Sequence, residues 1–133
     1  MVLSSIKYSA NFVEAYTNLG KIYEILNKPD DALEKYNQAL KINPNYTLAK
    51  LNIGRLFMSL TMYDKALVYF KSILEDNPKN GMACFYMAVA HYFLEDYSSA
   101  WHNVHLAKKF GSPTDQKFLR ALSAVMPEYQ NAI

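Results

Sequence analysis

One cysteine, four glycines and five prolines are few for 133 residues, and each shortage removes a class of answer. With Cys84 alone no intramolecular disulfide can form, and nothing marks an oxidising compartment, so a reducing, cytoplasmic location is expected. Four separated glycines make no phosphate-cradling loop. Neither sign of charge dominates: the net charge is +2 at pH 7 and no half of the chain is basic. The clustered Lys and Arg that nucleic acid or an anionic bilayer requires are missing, so neither is expected as a partner. The longest apolar stretch, Met82 to Leu94, is too short to cross a bilayer and is interrupted by His91. It reads instead as a helix buried on more than one side. The opening Met-Val-Leu-Ser-Ser-Ile-Lys-Tyr has no basic start followed by an apolar run, so no signal peptide is expected. What remains, 51% hydrophobic and 20% charged, is the composition of an ordinary folded protein.

What the chain does have is a period. From Tyr16 the order is Tyr16, Leu19, Gly20, Tyr23, Ala32, Tyr36, Ala39 and Pro44. One period on stand Lys50, Ile53, Gly54, Phe57, Ala66, Phe70, Ile73 and Pro78, with only Lys50 out of character. A further step gives Cys84, Met87, Ala88, His91, Ala100, Val104 and Ala107, with Pro113 one place late. Tyr16, Leu19, Gly20 and Tyr23 fall on one face of a helix, and Ala32, Tyr36 and Ala39 on one face of the next. Gly and Ala let two backbones approach while the aromatics fill the space beside them.

These residues, in units of about 34, resemble the tetratricopeptide repeat over roughly residues 13 to 113. The resemblance implies an all-α fold of about seven helices, with antiparallel helix-turn-helix pairs stacked as a right-handed superhelical solenoid. It divides a single domain into repeats at 13–46, 47–80 and 81–113, a capping helix at 114–126 and a tail at 127–133. Residues 5–12 align with 39–46 at the end of the first repeat, Ala10 falling opposite Pro44, and residues 1–12 are expected to be the remnant or lead-in of a preceding repeat, as in a segment of a longer array.

Helix boundaries follow from local chemistry. The first helix is expected over Val13 to Leu26, and Pro29 suits the first turn of the second. Asp30 and Asp31 then sit at the positive end of that helix, which stops before Pro44. Further helices are expected near Thr47 to Leu60, Tyr63 to Glu75, Gly81 to Leu94 and Tyr97 to Phe110. Ser112 or Thr114 is expected to cap a seventh over Asp115 to Val125, in which Leu119, Leu122, Ser123 and Met126 take the packing sites.

The resemblance also implies that the first helix of each pair lines a concave groove holding a partner segment, often an extended peptide. Helical spacing assigns the lining to Glu14, Thr17, Asn18, Lys21 and Glu24 in the first unit. The second supplies Leu48, Leu51, Asn52, Arg55 and Met58; the third supplies Met82, Phe85, Tyr86, Val89, Tyr92 and Phe93. The wall passes from mixed polar to aromatic, and Phe85, Tyr86, Tyr92 and Phe93 are surplus to the packing face, which marks an anchor region unless the capping helix covers them. Asn18 and Asn52 occupy equivalent places suited to a peptide backbone. Some members of the family clamp the terminal carboxylate of chaperone tails, and the matching positions here are Thr17, Lys21, Asn52, Met82 and Tyr86. Only Asn52 fits, so no such clamp is expected.

Other chemistry is thin. His102 and His105, with Glu95 or Asp96, fall short of the three or four converging ligands of a zinc site, and no metal or other cofactor is expected. His91 at an aromatic place of its unit reads as a packed histidine with one ring nitrogen bonded, and Cys84 as a buried filler. Paired carboxylates sit at helix ends, where capping explains them, so no catalytic residue is assigned and an enzyme is not expected. The reading is a non-enzymatic scaffold that binds a protein or peptide in its groove. Its alternative is a structural or oligomerisation segment whose groove or stack end is occupied in cis or by another copy.

Overall fold

The computed structural model describes residues 2–128, with side chains from Phe12 onward; residues 129–133 of the expected tail, and the side chains of the lead-in before Phe12, lie outside the described residues. Among the described residues there are seven helices and no strand: α1 (Val2–Ile25), α2 (Pro29–Ile42), α3 (Thr47–Ser59), α4 (Tyr63–Asp76), α5 (Gly81–Phe93), α6 (Tyr97–Lys109) and α7 (Gln116–Val125). Each packs on the next in chain order, and the odd-numbered helices also touch one another from α1 to α3 and from α3 to α5. The result is the all-α stack of paired helices that the period implies.

Why the chain turns where it does is visible at the corners. After α1, Asn27 adopts φ 59°, its amide bonds the Glu24 carbonyl at 3.0 Å, and the Lys28 amide bonds the Tyr23 carbonyl at 2.8 Å. The same pair of bonds recurs around Thr61 (φ 58°) and Glu95 (φ 62°), one repeat length apart. These are left-handed helix terminators of the Schellman kind, here built without glycine. A fourth, at Gly111 (φ 78°), follows α6. It explains the late Pro113: this turn terminates a second helix of a pair, where the earlier units go straight to Asn-Pro.

Two expected helix starts need correction. The first helix begins at Val2 and not at Val13, because the segment carries Ala10 where the later unit carries Pro44, and nothing there removes a backbone donor or disfavours helical geometry. The cap of α7 is Asp115, whose carboxylate accepts from the Lys117 amide at 3.1 Å, and not Ser112 or Thr114.

The core runs through the stack. Tyr36 and Phe70 are fully buried, and each ring lies over the glycine of its partner helix, Gly20 and Gly54. Lys50, the residue that breaks the pattern, is itself buried and reaches across its unit to Asp76 at 2.9 Å. A long stem packed in the core with its ammonium on a half-exposed carboxylate fills the place of an aromatic. At the far end Trp101 is buried with Val104 and Leu122, and its indole N–H donates to the Met126 carbonyl at 2.7 Å, tying α6 to the end of α7.

His91 lies in the last turn of α5, largely buried, with Nδ1 3.8 Å from the Asp96 carboxylate, too long for the bonded ring nitrogen expected there. Burial holds its imidazole below the ordinary 6.5, opposed by the nearby Asp96 and reinforced by Lys71. The unfolded chain therefore takes up a proton at this site at higher pH than the folded one. Stability is expected to fall as pH drops below about 6.5, and to level off once the folded imidazole also protonates. Urea midpoints at about pH 7.5 and about pH 5.5 should show a smaller loss for His91→Gln than for wild type. Equal losses would show that His91 is not the source.

Candidate functional site

The first helices of the three pairs, α1, α3 and α5, present equivalent residues to one side of the stack. The rows read Glu14, Leu48, Met82; Asn18, Asn52, Tyr86; Lys21, Arg55, Val89; and Glu24, Met58, Tyr92. A fifth row, Thr17, Leu51, Phe85, belongs to the same face by spacing alone. Thr17 is fully buried and its Oγ1 donates to the Val13 carbonyl at 2.8 Å, so it is absent from the wall. A Thr hydroxyl that bonds back within its own helix is satisfied there and offers a ligand nothing.

The polar half of the wall lies between α1 and α3. Lys21, Glu24, Ile25, Asn52, Arg55 and Ser59 line an open recess of about 380 Å³. Asn18 is exposed beside it. Asn52 is buried, yet its side-chain nitrogen has no hydrogen-bond partner among the described residues. Buried donors without acceptors are uncommon and costly. Glu24 is held by the Tyr36 hydroxyl, whose pKa is driven far up by burial and then by the Glu24 carboxylate. Lys21 and Arg55 are exposed, and the Arg55 guanidinium lies over the Tyr86 ring at 5.6 Å. The recess therefore pairs two cations and an amide with one carboxylate already engaged.

Toward α5 the wall becomes apolar, but less of it is open than spacing alone suggests. Phe118 of α7 enters between two of the expected anchors, edge-on to Phe85 and to Tyr92, each at 5.5 Å. These rings are thus partly spoken for by the capping helix. Tyr86 stacks on the buried Phe70 at 5.6 Å, and Phe93 stacks on Tyr63 at 4.9 Å while remaining exposed. Leu48 and Met82 are exposed, and Leu51, Met58 and Val89 half-buried. A second recess, of about 330 Å³, lies between Met82, Phe85 and Tyr86 on one side and Ser112 to Asp115 on the other.

Phe118 is the residue that the spacing argument passed over. Aligning α7 on the first helix of a repeat puts Leu119, Leu122, Ser123 and Met126 inward. Leu122 is buried and Leu119 and Met126 pack beside it as expected, but Ser123 is exposed and Phe118 joins the packed face, which runs through Phe118, Leu122 and Met126. The i, i+4, i+8 spacing of those three large residues was the available signal.

Among the described residues no three His, Cys, Asp or Glu side chains converge as metal ligands. His105 faces Glu128 at 3.3 Å and His102 is exposed. Cys84 is fully buried, and burial pushes its thiol up. No described helix is long and apolar enough to cross a membrane.

Two family models described as tetratricopeptide repeat match residues 13–46 and 48–80, about half the chain. Among curated proteins none matches the sequence. Among solved structures, the fold is similar to the first TPR of Spaghetti (RPAP3) bound to HSP90 peptide SRMEEVD, at 16% identity and TM-score 0.79, covering 87% of this chain and 94% of that one. It is similar also to the Sgt2 TPR domain from Aspergillus fumigatus, at 18% identity and TM-score 0.76, covering 90% and 80%. The first TPR domain of the human RPAP3 protein matches at 16% identity and TM-score 0.78, covering 92% and 98%. At these identities the likeness is one of fold.

Proposed function

The chain belongs to the tetratricopeptide-repeat family, whose members are protein-interaction scaffolds, and we propose that it is a non-enzymatic module whose concave wall docks an extended peptide of a partner protein. The observation that carries this reading is Asn52, a buried amide that lines an open recess and whose side-chain nitrogen has no partner among the described residues. A peptide carbonyl there completes the amide, and an acidic side chain fits between Lys21 and Arg55. An apolar side chain enters the recess beside Met82, Phe85 and Tyr86, with Phe93 and the edge of Tyr92 further along. Phe85 and Tyr92 contribute the faces that Phe118 leaves open, so the anchor region is smaller than four free rings.

The HSP90 peptide bound by the Spaghetti domain is a poor fit to this wall. Thr17 is sealed, and Met82 and Tyr86 bring no cation where a carboxylate clamp needs one. Calorimetry with SRMEEVD is expected to show no micromolar binding.

The decisive variant is Asn52→Ala, tested on peptides selected from a displayed random library. Binding is expected to weaken about tenfold, the worth of one hydrogen bond to a buried amide. Stability is expected to hold or rise slightly, because the variant removes a donor that the free protein leaves unpaired. If selected peptides bind Asn52→Ala and Arg55→Ala as well as wild type, the concave wall is not the docking surface.

A further inference from the structure

The two cations of the polar recess are not equivalent. Lys21 and Arg55 take the same place in successive units, but the next groove helix brings a different neighbour to each, Asn52 after Lys21 and Tyr86 after Arg55. Only Arg55 has an aromatic seat: its guanidinium lies over the Tyr86 ring at 5.6 Å. That ring is itself fixed, because it stacks within 16° of parallel on Phe70, at 5.6 Å, and Phe70 is fully buried. A line of contacts thus runs from the core through Tyr86 to the exposed Arg55. A planar guanidinium laid on a ring loses little further freedom on binding, and the N–H groups along its edge stay open to a planar acceptor. Among the described residues no carboxylate lies within ion-pair distance of it.

We propose that Arg55, seated by Tyr86, is the residue through which the groove selects a carboxylate side chain, and not a phosphorylated one, in its partner peptide; this rests on the docking reading above. The charge of the recess decides between the two anions. Lys21 and Arg55 stand against one carboxylate, Glu24, so a single positive charge is left over. One Asp or Glu of the peptide balances it, in the fork-to-carboxylate geometry that only Arg offers. A phosphoryl group carries a charge of about −1.5 to −2 at neutral pH, and the surplus would be repelled by Glu24. Tyr86 acts through Arg55 and is a positioning residue.

The test takes a peptide selected on the wild-type chain from a displayed random library, kept because Asn52→Ala weakens it, and makes it with glutamate, glutamine or phosphoserine at its acidic position. Calorimetry is expected to place the glutamate form about tenfold above the other two. Arg55→Lys keeps the charge and loses the fork, so it should lose about the same tenfold on the glutamate form and nothing on the glutamine form. Tyr86→Leu should match Arg55→Lys on the glutamate form, the double variant should lose less than the two singles together, and Tyr86→Phe, which keeps the ring, should bind as wild type does. Arg55 is exposed, so Arg55→Lys folds as wild type even if Tyr86→Leu does not. The assignment is overturned if the glutamine or phosphoserine form binds as tightly as glutamate, if Arg55→Lys binds the glutamate form unchanged, or if the Asn52-dependent peptides carry no acidic residue. In each of those cases the groove still docks its peptide. A library in which every peptide ignores both Asn52→Ala and Arg55→Ala overturns the groove and this assignment together.

Discussion

Trp101→Ala is expected to destabilise the protein by about 3 to 5 kcal/mol, the usual cost of emptying a buried aromatic site. The indole is almost fully buried between α6 and α7, and its N–H is one of the ties that hold the end of the capping helix. Losing it removes the packing beneath Leu122 and the bond to Met126 together, so the damage concentrates at one end. Urea unfolding followed by circular dichroism reads the total, since the variant has no tryptophan to report. Hydrogen exchange reads the location, and amides of α7 should lose protection while those of α2 and α3 keep theirs. Trp101→Phe separates the contributions: the ring is largely replaced but the bond is not, for a smaller cost of about 1 kcal/mol plus the volume difference. A loss below about 1 kcal/mol for the alanine variant, or α7 amides as protected as before, would mean the capping helix is held by other contacts.

Gly54→Ala should also destabilise, by about 1 to 3 kcal/mol, although the same exchange in an exposed helix gains up to roughly 1 kcal/mol. A Cβ at position 54 lands in the ring of Phe70, which is fully buried and has nowhere to move. The third unit shows the solution to this clash within the same chain. There Ala88 stands in place of the glycine and Val104 in place of the ring, and both are fully buried in one cluster. The paired substitution Gly54→Ala with Phe70→Val copies that arrangement. Phe70→Val alone leaves a void and costs on the order of 2 to 4 kcal/mol. The double variant should lose less than the two singles together, by on the order of 1 kcal/mol or more. Additive losses would show that ring and glycine do not limit each other.

The same comparison explains what sequence reasoning reaches. Pro29, Pro44 and Pro78 punctuate the chain locally, and Gly20 and Gly54 return beside Tyr36 and Phe70 at fixed offsets, so most helix ends and the pairing of helices are legible without coordinates. Lys50 is not, because its partner Asp76 lies 26 residues away and no local pattern reports it. Thr17 fails for a different reason. Periodicity fixes the direction of a side chain, whereas its hydroxyl turned back to the Val13 carbonyl and left the wall. Phe118 is a tertiary event of the same kind: the rings it meets, Phe85 and Tyr92, look unclaimed until the capping helix is placed. Lys21, Asn52 and Arg55 share the offsets of their repeats, which is why spacing alone puts them on one face and the structure finds them lining one recess. That Asn52 would be buried with an unused donor was beyond any pattern of spacing.

Because each described helix leans chiefly on its immediate neighbours, the first unit is coupled to the last mainly through the helices between them. Heat should therefore melt the chain in overlapping steps. The enthalpy absorbed in a calorimeter is expected to exceed the van't Hoff value taken from the sharpness of the transition.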